Sequence, residues 1–251
     1  MKQCPKCGHE RRPGEAGAAG ICPACGLVFA KWARHTLGTE TLPRDREPDL
    51  EGGGRLREVL ALAVQVPPAT DPWHFRGRVA VGVLLLVWGA YFILLDFRTA
   101  EIGNSFMHRV NLVFHEAGHV LFMPFGRFMA ILGGTLGQLL MPVVVMGAFL
   151  WKNRDPFGGS VGLWWLGQSF MDCAPYIDDA RRLQMPLVGG GTGADRPGVH
   201  DWENILLDLG LIEHERAVAA LFDGIGTVLM LAAFAWGGYV LLLQYRNLPG
   251  K

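Results

Sequence analysis

The string His115-Glu116-Ala117-Gly118-His119 places two imidazoles four residues apart with a carboxylate beside the first. On a helix, residues four apart stand one turn above each other on the same face, so both rings can bind one metal ion. Glu116 then lies next to the metal, placed to take a proton from an activated water and pass it to a leaving amine. This is the chemistry of zinc-assisted peptide hydrolysis, with His115 and His119 as metal ligands and Glu116 as the catalytic residue.

A second constellation lies at the N-terminus. Cys4-Pro-Lys-Cys7-Gly and Cys22-Pro-Ala-Cys25-Gly are two CxxC knuckles with 14 residues between Cys7 and Cys22. Four thiolates so spaced can close a tetrahedral zinc site. The glycine after each pair lets the backbone turn so that amide groups face the sulfurs, as in short zinc ribbons. Such a closed site folds a module and leaves no position for catalysis, so two zinc ions are expected, one catalytic and one structural. The fifth cysteine, Cys173, sits alone in an apolar run and reads as a small buried hydrophobe.

The elements that carry the histidines are apolar. The 251 residues are 50% hydrophobic and 18% charged, with mean hydropathy +0.23, which points to a membrane protein. Formal net charge is zero, so no global field favours a polyanion, and Lys31, Trp32 and Arg34 alone do not argue for nucleic-acid binding. The fold expected is an α-helical polytopic membrane protein of about five transmembrane helices with a small N-terminal zinc ribbon. Residues 1–33 form the ribbon. Residues 34–77 form a Gly- and Pro-rich linker with a short surface helix near Leu56 to Val66. Residues 78–251 form the membrane domain, with spans near 79–97, 103–123, 128–151, 160–177 and 217–243.

The span over 103–123 carries His108, Arg109, His115, Glu116 and His119, too polar to face lipid, so it must be shielded inside a bundle. Gly133-Gly134, Gly137, Gln138 and Pro142 suggest a kinked or re-entrant third span. The N-terminus is polar with no signal-peptide-like run, which keeps the ribbon in the reducing cytosol. Lys and Arg near the span ends agree with that orientation.

A catalytic zinc needs a third protein ligand. If the second and fourth spans run parallel, Asp172 lies 12 residues into its span, as His115 does in its own, and this depth match makes Asp172 the first choice. Asp179 shares its helical face with Asp172, and Asp178 lies beside it. The ordinary reading of Asp178, Asp179, Arg181 and Arg182 is an interfacial charge cluster. His200-Asp201, in the Gly-rich loop between spans four and five, could approach from the cytosolic side as a ligand or a supporting pair.

An HEAGH motif in a span, with an aspartate two spans later, resembles the site-2 family of intramembrane metalloproteases over about residues 105–182. The resemblance implies zinc held by two histidines and an aspartate, and hydrolysis of membrane-anchored protein substrates within or beside the bilayer. Members carry a proline-rich segment ending in Leu-Asp-Gly before an arginine. Here Pro175-Tyr176-Ile177-Asp178-Asp179-Ala180-Arg181 is similar in outline but lacks the glycines. By the family pattern Asp178 or Asp179 is the third ligand, against Asp172 by depth. The rival class is a non-proteolytic metal-binding membrane adaptor whose ribbon recruits a cytosolic protein partner. A glutamate directly after the first histidine favours the enzyme.

Overall fold

The computed structural model describes residues 3–10, 20–29 and 53–249 and divides into two units, Met1–Gly52 and Gly53–Lys251. The expected linker, up to residue 52, lies outside the described residues.

In the first unit each knuckle is a tight turn closed by backbone hydrogen bonds. The Gly8 amide donates to the Cys4 carbonyl and the Gly26 amide to the Cys22 carbonyl, both at 2.9 Å. Gly8 and Gly26 have φ of +72° and +70°, the left-handed conformation that a side chain resists, which explains a glycine after each pair. Isolated antiparallel bridges, Gln3 to Glu10 and Ile21 to Val28, close the bases of the two turns.

The second unit is helical. Its elements are α1 (Gly53–Val64), α2 (Pro72–Leu94), α3 (Phe106–Phe122), α4 (Arg127–Gly147), α5 (Pro156–Asp178), α6 (Asp201–Asp208) and α7 (Glu215–Arg246). Helix starts follow local chemistry. Asp71 accepts from the His74 amide, Ser105 from the His108 amide and Asp155 from the Phe157 amide, and Pro72 and Pro156 sit where a missing N–H costs nothing.

Among the described residues three helices are long and apolar enough to cross a membrane: Pro72–Leu94, Arg127–Lys152 and Ile212–Arg246. Many of their apolar side chains stay outside the bundle, with Val83, Leu84, Leu86 and Val87 of α2 all exposed. A run of this kind is tolerated against lipid and not in water. The chain is thus consistent with an integral membrane protein. The other two expected spans are helices of a different kind. At 17 residues, α3 is shorter than the roughly 20 that a bilayer core requires. α5 has the length, but most of its residues are buried among its neighbours, including Gln168, Ser169, Asp172 and Asp178.

α5 is the axis of the unit and packs along α7, where Gly167 and Gly226 bring the backbones together. A Cβ on Gly226 would lie 2.6 Å from the Gly167 carbonyl oxygen. α3 and α4 form a tight hairpin in which Gly118 meets Gly133 and Gly137; a Cβ on Gly118 would stand 2.0 Å from the Gly133 carbonyl oxygen. The glycines expected to interrupt the third span therefore serve as a contact surface. α4 runs unbroken past Pro142 into a π-helical turn at Ala148–Lys152.

A Gly118→Leu chain should consequently lose the α3–α4 hairpin, with destabilisation at or beyond the roughly 1–3 kcal/mol of ordinary overpacking, because backbone and not a flexible side chain is in the way. Gly224→Ala, on α7 with nothing within 4 Å of its Cβ, should leave stability unchanged or raised by up to about 1 kcal/mol. Thermal unfolding of both variants in detergent checks the contrast.

Candidate metal centre

His115, Glu116 and His119 lie on α3, with ligand atoms within 4.8 Å of one another. The Gly118–Gly133 contact presses this face against α4, and Gly134 is the residue directly behind the rings. A Cβ there would lie 2.5 Å from His115 Nε2 and 2.6 Å from His119 Nε2, so only glycine leaves both nitrogens room.

The rings are oriented by their surroundings. His119 Nδ1 lies 2.8 Å from the Ala130 carbonyl oxygen on α4. A carbonyl only accepts, so Nδ1 carries the proton and a neutral His119 keeps a lone pair on Nε2, as a metal ligand requires. Both Nε2 atoms converge on one carboxylate oxygen, Asp201 Oδ2, at 3.1 Å from His115 and 3.3 Å from His119. A lone pair and a carboxylate oxygen repel at that range unless a positive charge, a proton or a metal ion, lies between them.

The spacing fits a metal. Four donors at bonds of about 2.0–2.1 Å around a tetrahedral ion lie about 3.3–3.4 Å from one another. The His119–Asp201 contact, at 3.3 Å, has that edge length, and the His115–Asp201 contact, at 3.1 Å, is slightly shorter. The ribbon passes the same test. Cys4 Sγ is 3.7 Å from Cys25 Sγ and Cys7 Sγ is 3.7 Å from Cys22 Sγ, against about 3.8 Å for the edge of a tetrahedron with 2.3 Å metal–sulfur bonds. Both clusters can therefore hold a metal ion.

Asp201 reaches the histidines because several contacts hold the start of α6. Its amide donates to Tyr176 Oη at 3.2 Å. His200, fully buried, caps α6 by accepting the Glu203 amide on Nδ1, and its ring stacks on Tyr176 with centroids 4.0 Å apart. The other end of α6 is tied to α4, where Arg127 donates to Asp208 at 2.8 Å and to Asn204 at 2.6 Å. Burial raises the Asp201 carboxyl pKa, yet hydrogen bonds with His115 and His119 outweigh it and hold the group below the usual carboxylate range.

The other candidate carboxylates have different partners. Asp172 accepts from His108 Nδ1 at 3.0 Å, Asn111 Nδ2 at 3.0 Å and Gln138 Nε2 at 3.1 Å. Asp172 meets α3 at His108 and Asn111, one to two turns before His115, and so does not lie level with the histidine pair as the depth count expected. Asp178 pairs with Arg182 and lies 3.9 Å from Arg216, as an interfacial charge cluster would. Asp179 accepts the Gln184 and Met185 amides and lies 3.6 Å from His200 Nε2. Burial opposes its ionisation, but His200 and these two amides prevail and keep its pKa low. Asp179 thereby anchors the loop that leads to α6.

Asn111 was not singled out by the sequence. It is buried and donates to Gln168 as well as Asp172. Its signal was a polar residue one turn before His115 on the same face. A cavity of about 590 Å³ has His108, His115, Glu116, His119 and Asp201 in its wall, together with Met185 to Val188. Compared with protein-family models, curated proteins and solved structures, the chain matches none.

The two leading carboxylates can be separated by metal content. Asp201→Asn should weaken metal binding at the histidine site by more than the roughly 10–100-fold that a supporting residue carries. Asp172→Asn should leave it within a few-fold of wild type. Metal titration of chains whose four N-terminal cysteines are serine isolates the site for this comparison.

Proposed function

We propose that the protein is an intramembrane zinc metalloprotease that hydrolyses peptide bonds of membrane-anchored proteins, with its N-terminal zinc ribbon on the cytosolic side. The observation that carries this reading is the convergence of two imidazole nitrogens on one carboxylate oxygen at 3.1 and 3.3 Å, with Glu116 beside the histidines in the same cavity. Three protein ligands with one position open distinguish a catalytic zinc site from a structural one.

His115, His119 and Asp201 would hold the ion. Zinc in such a site supplies Lewis acidity, polarising a peptide carbonyl and making water acidic enough to attack near neutral pH. Glu116 takes the proton of the attacking water and returns it to the departing amine nitrogen, so one carboxylate serves as base and then as acid. Ala130 fixes the His119 tautomer through its carbonyl. Tyr176 and His200 hold Asp201 in place.

The ribbon, with four sulfur donors, is proposed as a closed structural zinc site that can also present a surface to a cytosolic protein. A metal-binding adaptor without hydrolysis would need the histidines and Asp201 but not Glu116, and that difference separates the two readings.

Purified wild-type chain should contain two zinc ions. Replacing the four cysteines should remove one and His115→Ala the other. Glu116→Gln should retain both while lowering cleavage of a reporter with a single transmembrane helix by roughly 10²–10⁴-fold, the usual contribution of a general base. Equal cleavage by wild type and Glu116→Gln, or none by zinc-loaded wild type across a reporter panel, would leave the adaptor as the better account.

A further inference from the structure

The His108–Asp172 pair lies in the cavity wall but has no part in the metal centre. Asp172 is buried and accepts three hydrogen bonds, from His108, Asn111 and Gln138. Its capacity is directed to holding His108. That ring donates Nδ1–H to the carboxylate at 3.0 Å and lines the cavity with its side chain 32% exposed, leaving Nε2 for a group that enters. On α4, Thr135 follows Gly134, which lies against the histidine pair. Thr135 lines the same cavity, and its hydroxyl is buried with no hydrogen-bond partner among the described residues. A buried hydroxyl without a partner costs roughly 1–3 kcal/mol, so an occupant that supplies one is favoured.

We propose that Thr135 and His108 form a subsite for an unwound peptide segment, with His108 hydrogen-bonding to the substrate about three residues from the cleaved bond. This rests on the protease reading above. His108 and His115 are seven residues apart on one helix, two turns or about 10 Å. An extended peptide advances about 3.3 Å per residue, so a chain lying along α3 from the metal reaches His108 at its third residue. A transmembrane substrate must lose helical hydrogen bonds to expose a peptide bond, and each backbone group freed at membrane depth costs several kcal/mol unless it finds a partner. Thr135 can partner the nearer residues and His108 the third. Asp172 acts as a positioning residue that keeps the His108 ring turned to the cavity.

The probe is a series of peptidyl hydroxamates with one to four residues, extended from either side of the chelating group, added to the zinc-loaded full chain in detergent. Affinity is read by tryptophan fluorescence. For wild type, one series should gain about five- to tenfold at its third residue, the scale of a single hydrogen bond. His108→Leu should bind the one-residue probe as wild type does and lose the third-residue gain, and Asp172→Asn should halve that gain or more. Thr135→Val, which keeps the shape and removes the hydroxyl, should lose the gain at the first or second residue. Unchanged increments in both His108→Leu and Thr135→Val would overturn the subsite while leaving the metal centre intact. Failure of every hydroxamate, including the shortest, to bind zinc-loaded wild type would overturn the protease reading and the subsite with it.

Discussion

The close approach of α3 and α4 at Gly118, Gly133 and Gly137 is the constraint from which the metal centre follows. With backbones this near, the Ala130 carbonyl reaches His119 Nδ1, and Gly134 comes to lie against both imidazoles. Between helices in lipid the hydrophobic effect gives little attraction, so packing of small residues and interhelical hydrogen bonds must hold them together. Here both act at one place. The glycines allow the approach and the histidine–carbonyl bond uses it. A larger residue at Gly118 or Gly133 would separate the helices and turn the metal-binding face away from its support.

Buried charge governs the remainder of the arrangement. A lone carboxylate among helices is expensive, and each one here is compensated in its own way. Asp172 gathers neutral donors, Asp178 takes arginines, Asp179 takes backbone amides, and Asp201 takes the two histidines. Carboxylates within a few residues of one another in sequence thus have separate roles. The partners decide the role: amides fix a loop, arginines close a helix end, and convergent imidazole nitrogens make a place for a cation.

Much of this was legible in the sequence, and the remainder depended on contacts between elements. The His115–Glu116–His119 face and the two cysteine knuckles are local, set by helical period and by glycines at fixed offsets. Three apolar helices could be read from composition, though α3 and α5 are too short or too polar to be counted with them. The third carboxylate was harder. Counting depth along α3 and α5 assumed that the two helices start level and run side by side, whereas Asp172 meets α3 at His108 and Asn111, before His115. His200-Asp201 could not be ranked first because the tertiary contacts that place it, the ring stack on Tyr176 and the Arg127 ties, join residues far apart in sequence. The glycines of α4 were read as breaks because sequence alone does not distinguish a flexible glycine from one that another backbone touches.

Asp201 comes from α6, a short helix that reaches the site from outside the apolar set. Two donors are therefore fixed by the α3–α4 hairpin, while the third depends on α6 remaining docked through Arg127, Asn204 and His200. The donors have different rigidity for a physical reason: His115 and His119 are held by backbone contact, whereas Asp201 is held by side-chain hydrogen bonds, each worth only about 0.5–1.5 kcal/mol net. Once bound, a cation would join α6 to α3 more strongly than any of these bonds. A metal ion held there would also fasten α6 to the α3–α4 hairpin.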